Sequence, residues 1–170
     1  GMGVGSVLLG KRADRSRNPL ELYANLELLI CVTAALTPLL VDAAQWIYLR
    51  TGGIGALGTA GATVVRLLLS VIVLAAPTVL MGGTLPAAAR AVERSSDVGR
   101  QRLSALYGIN TLGAVAGTLA SNFLFMEVFG TRLSLWLTCL INALVALFAR
   151  SLARRGGSVS VEEPVEAPTE

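Results

Sequence analysis

Long, nearly uncharged stretches alternate along this chain with short segments rich in arginine. The apolar stretches run over about Leu20–Leu40, Gly61–Met81, Leu103–Phe125 and Leu133–Phe148. A helix needs about 20 mostly apolar residues to cross the hydrocarbon of a bilayer. The first three reach that length and the fourth is slightly short. The whole sequence is 54% apolar and 15% charged, against about 45–50% and about 25% in soluble domains. The pattern predicts an all-α, multi-pass transmembrane bundle. A fifth apolar piece, Gly1–Leu9, is too short to cross and reads as a partial N-terminal span or as a Gly-Met expression remnant. It has no basic flank and no small-residue cleavage site, so it is not a signal peptide.

The basic residues set the orientation. Lys11, Arg12, Arg15 and Arg17 follow the partial span, and Arg50 alone follows the first full span. Arg90, Arg94, Arg100 and Arg102 come next, then Arg132 alone, then Arg150, Arg154 and Arg155. Cytoplasmic loops carry the excess of Lys and Arg. The alternation of 4, 1, 4, 1 and 3 bases therefore predicts that the basic loops and the C-terminus are cytoplasmic. The Gly-, Ser- and Pro-bearing tail 156–170 carries Glu162, Glu163, Glu166 and Glu170. It has too little apolar surface to order itself and reads as a disordered acidic tail or linker.

Charges inside spans are costly and often functional. Glu27 lies roughly 10 Å below the basic edge of the first span at about 1.5 Å per residue, and Asn110 lies at a similar depth in the third. If those helices are neighbours, Glu27, Asn110 and Thr111 meet within the bundle. Arg66, nearer the opposite side, either snorkels to headgroups or pairs with an interior acid. These three, Glu27, Asn110 and Arg66, are the candidate intramembrane polar site. Asp42 and Glu127 read as solvated interface residues, and Asn142 as a bond to a neighbouring helix.

Small residues and prolines supply the packing and bending candidates. Gly113, Gly117 and Ser121 share one helix face, where small side chains let two backbones approach. They read as internal bundle packing, with a homo-oligomer face as the alternative. Pro77 removes a helical hydrogen bond. With Gly82, Gly83 and Pro86 it marks a kink or hinge, either mobile or static.

Several chemistries are excluded. The chain has no histidine, which removes Ser-His-Asp and Cys-His catalysis and His-based zinc sites. Cys31 and Cys139 lie in apolar runs and form no CxxC pair. No Gly-rich phosphate loop precedes a helix, so no catalytic, metal or cofactor site is expected. Arg90–Arg102 carries Glu93 and Asp97 and lacks aromatics, which suits a topology-setting loop against anionic lipid rather than a nucleic-acid site.

Four strings together resemble the membrane domain of bacterial fused major-facilitator/spermidine synthases. They are Gly1–Arg15 (GMGVGSVLLGKRADR), Leu22–Ile30 (LYANLELLI), Thr78–Ala91 (TVLMGGTLPAAARA) and Leu106–Gly117 (LYGINTLGAVAG). The resemblance covers most of residues 1–150. It implies half of a major-facilitator-type bundle that serves as a membrane anchor or polyamine conduit. It also implies a companion half-bundle and a separate aminopropyltransferase domain, whose nucleotide loop and acidic polyamine site have no counterpart here. The competing expectations are a small transporter half that works as an oligomer, and an inactive fragment of a longer protein.

Overall fold

The computed structural model describes residues 1–93 and 97–157, and all regular structure among them is helical. The helices are α1 (Met2–Asp14), α2 (Pro19–Arg50), α3 (Gly53–Val92), α4 (Asp97–Ala120) and α5 (Met126–Gly157), with a π-helical turn at Ser121–Phe125 between the last two. The predicted tail falls largely outside the described residues.

Three helical stretches are long and apolar enough to cross a membrane: Pro19–Arg50, Gly53–Val92 and Gln101–Arg155. Large apolar side chains point outward along them, including Leu67, Ile72, Leu112 and Phe148, and Leu112 is 72% exposed. Water would penalise this much uncovered apolar surface, whereas lipid does not. The chain is therefore a helical membrane protein. The sequence expectation of separate third and fourth spans meets a more complex geometry. Gln101–Arg155 forms a single 55-residue stretch, interrupted by non-helical angles at Gly130 (φ 70°, ψ 171°). Ser134 Oγ lies 2.7 Å from the Phe125 carbonyl. Nine residues of straight helix would separate them by roughly 13 Å, so the chain bends sharply at Gly130.

The helix starts follow from local chemistry. Pro19 opens α2, and the Asn18 side chain accepts a hydrogen bond from the Glu21 N–H at 3.2 Å, a cap worth about 1 kcal/mol. At the other end, Gly52 and Gly53 take positive φ (84° and 55°). A side chain resists that conformation, and it lets α2 and α3 form an antiparallel pair around a two-residue turn.

The packing places α1, α3, α2 and α5 side by side in that order. Cys31 of α2 donates to the Cys139 carbonyl of α5 at 3.2 Å. At the basic end, Ala13, Leu26 and Ala87 form a small core joined by Leu9, Leu22, Tyr23 and Leu80. By contrast, α4 makes no helix-length contact with α1, α2 or α5.

Two expectations about small residues are corrected. A Cβ at Gly113 or Gly117 would meet nothing within 4 Å, so this face is not internal packing within the chain. Nor do Gly82 and Gly83 break a helix, because α3 runs through them to Val92 and its one non-helical residue is Gly58. Instead they are points of close approach. A Cβ at Gly82 would overlap the Met2 carbonyl, one at Gly83 would come within 2.5 Å of Leu9, and one at Gly5 would overlap the Val79 carbonyl. Small residues on both helices thus let α1 and α3 touch backbone to backbone. Pro77 and Pro86 sit inside α3, with Pro86 facing Gly10.

Gly5→Leu and Gly82→Leu should each destabilise the detergent-solubilised protein by about 1–3 kcal/mol through overpacking. Gly113→Leu should leave it unchanged. Thermal unfolding of the monomeric fraction measures both.

Candidate functional site

The structure disperses the polar residues that the sequence singled out. Glu27 is half-buried on α2 and Asn110 is exposed on α4. Because α2 and α4 do not pack, Glu27, Asn110 and Thr111 are not brought together. Tyr23 lies against Glu27 one turn away. The antiparallel register that sets Cys31 against Cys139 carries Glu27 instead to the level of Asn142 and Ala143 on α5. Arg66 finds no acid. Its guanidinium lies 4.6 Å from the centre of the Tyr48 ring, a cation–π contact that binds α3 to the far end of α2. Arg90 and Glu93 form an ion pair at 2.7 Å, exposed and worth little.

A different constellation lies where α2, the end of α4 and α5 diverge. They surround a cavity of about 650 Å³. Thr37, Asp42, Ser121, Thr131, Arg132 and Thr138 provide its polar lining, and Val41, Phe125, Leu135 and Ile141 much of its apolar wall. Gly117 and Ser121, two members of the small-residue face, look into it. With no large side chain at these positions, the space between α4 and α2 stays open.

Each wall carries a departure from regular helix. Pro38 lies inside α2 and lines the cavity. Proline donates no hydrogen bond, so the Ala34 carbonyl lacks its usual helical partner. The opposite wall is the π turn at Ser121–Phe125, a distortion frequent at functional sites. The bend at Gly130 immediately precedes Thr131 and Arg132, which line the third side. Backbone groups freed in a bilayer must find partners among side chains, water or neighbouring helices. Ser134 meets part of that need, with its hydroxyl 2.7 Å from the carbonyls of both Phe125 and Gly130. Irregular backbone at membrane depth is tolerated where it lines a cavity.

The sequence signals for this site were modest. Pro38 stands mid-span after Thr37, and Asp42 closes an apolar run. The π turn has no evident residue signature in Ser-Asn-Phe-Leu-Phe. Nothing along the chain showed that Asp42 and Arg132, ninety residues apart, would line one space.

No family model, no curated protein and no solved structure matches this chain.

If water fills the cavity, a cysteine at Ser121, in a chain with Cys31 and Cys139 replaced by alanine, should react readily with a charged, membrane-impermeant thiol reagent. A cysteine at lipid-facing Leu112 should not. Labelling rates in intact vesicles would decide this, and equal rates would count against a hydrated cavity.

Proposed function

We propose that this chain is a transport module of the bacterial inner membrane, built as half of a major-facilitator-type bundle. In this reading the bend at Gly130 divides the last apolar stretch into two crossings, which makes four full spans and puts the basic loops in the cytoplasm. The cavity between α2, α4 and α5 is a segment of the path for a polar organic solute. The single observation that carries the reading is the coincidence of Pro38, the π turn and Gly130 around one polar-lined space.

The resemblance to fused spermidine synthases supports a polyamine as the cargo, and Asp42 is the acid lining the cavity that would receive an ammonium group. The uncovered length of α4 supports a companion, either a second copy of the chain or a separate half-bundle. No enzymatic step is assigned to the chain, and no cofactor is required.

Reconstituted vesicles should take up radiolabelled spermidine faster than protein-free vesicles. Asp42→Asn should cut that uptake about tenfold or more, the loss of one hydrogen bond to a charged group. Glu27→Gln, outside the cavity, should change it by less than about twofold if only long-range electrostatics act there. Uptake equal to that of empty vesicles would end the conduit reading. Reporter fusions provide the topological test: a periplasm-dependent reporter should be active after Gly52 or Gly130 and silent after Arg155.

A further inference from the structure

At the basic end, away from the proposed path, α1 ends and α2 begins around a second cavity of about 760 Å³. Lys11, Arg12, Arg15 and Arg17 line it, together with Leu8 and Leu22. All four cations are exposed, and none makes a hydrogen bond or ion pair with a described residue. The acids nearby are otherwise engaged. Glu21, which also lines the cavity, takes part in the cap with Asn18 through its N–H and its carboxylate. Asp14 acts on Arg90 of α3. The cavity therefore carries a net positive charge in which four cations stand against one acid.

Positive charge that merely fixes topology needs no common focus, since side chains spread into water would serve as well. Here four cations from two helices and their connecting turn open on one concave space, and guanidinium groups match phosphate oxygens in bidentate geometry. The apolar members narrow the ligand further. Leu8 and Leu22 lie on the sides of α1 and α2 that lead into the apolar spans, so the cavity is basic at its rim and apolar toward the bilayer. We propose that it is a binding site for the phosphate of an anionic phospholipid headgroup, with Arg12, Arg15, Arg17 and Lys11 on the phosphate and Leu8 and Leu22 against the upper acyl chains. An occupied site would bridge α1 to α2, two helices that otherwise make little contact.

The test uses the full chain in detergent micelles, with a fluorescent phosphatidylglycerol as the probe. Unlabelled phosphatidylglycerol should displace the probe at least tenfold better than zwitterionic phosphatidylcholine. Arg15→Gln/Arg17→Gln should weaken probe binding about tenfold or more, as expected for the loss of charge-assisted contacts. Arg50→Gln/Arg102→Gln removes the same charge outside the cavity, with Arg50 at the opposite end of α2, and should leave binding within about twofold, since remote surface charges are largely screened. Equal loss in the two double variants would show diffuse attraction and overturn the site. Displacement by inorganic phosphate at the same concentration as by phosphatidylglycerol would overturn the lipid assignment in favour of a soluble phosphate. No preference between the two lipids in the parent protein would overturn the proposal without any variant. Spermidine uptake is not read in this experiment, so its outcome is independent of the conduit reading.

Discussion

Hydrocarbon gives the backbone no hydrogen-bond partner, and this constraint governs the structure. Each peptide group in the bilayer must be satisfied within the protein, which explains why the described residues fold only into helices. It also gives meaning to every irregularity. Side-chain hydroxyls return to the backbone throughout: Thr33 to Leu29, Thr63 to Thr59, Thr78 to Leu74 and Thr118 to Ala114, all at 2.7–2.8 Å. Three of the departures from regular helix, Pro38, the π turn at Ser121–Phe125 and the bend at Gly130 next to Thr131, lie at one cavity, while Gly58, Pro77 and Pro86 interrupt α3 elsewhere.

The same constraint changes what holds helices together. Lipid is as apolar as leucine, so burying a leucine between helices yields little. Among the described residues the buried apolar positions are mostly alanines, Ala13, Ala24, Ala62, Ala87, Ala146, Ala149 and Ala153, with Leu26, Ile30 and Val73 the larger exceptions. The closest approach is made by glycine, with Gly5 on α1 and Gly82 on α3 letting main chains touch. These contacts are dispersion between near-flat surfaces, each weak and collectively substantial. Polar contacts are few and local. The Cys31 thiol on the Cys139 carbonyl links α2 to α5, and the Arg66 guanidinium over Tyr48 links α3 to α2.

The two cavities differ in chemistry and lie toward opposite ends of α2. The α2–α4–α5 space is walled largely by hydroxyls and apolar side chains, a lining suited to a solute that must enter and leave. The α1–α2 space gathers unpaired cations at a helix junction, a lining suited to holding an anion.

The sequence by itself determined the class of environment and the helices, because apolar runs of bilayer length, separated by clustered arginines, leave no other soluble or sheet-based solution. The cap of Asn18 on α2 and the positive-φ turn at Gly52–Gly53 emerged only with the structure. Tertiary structure decided which helices touch. Glu27 and Asn110 share a depth along the chain, yet α4 stands apart from α2, since depth says nothing about lateral neighbours. Gly113 and Gly117 looked like packing and face open space, while Gly82 and Gly83 looked like a hinge and serve as packing. A small side chain permits close approach, flexibility or an open cavity equally well. Only the position of the opposing helix selects among them, and that position depends on contacts between residues far apart in the chain.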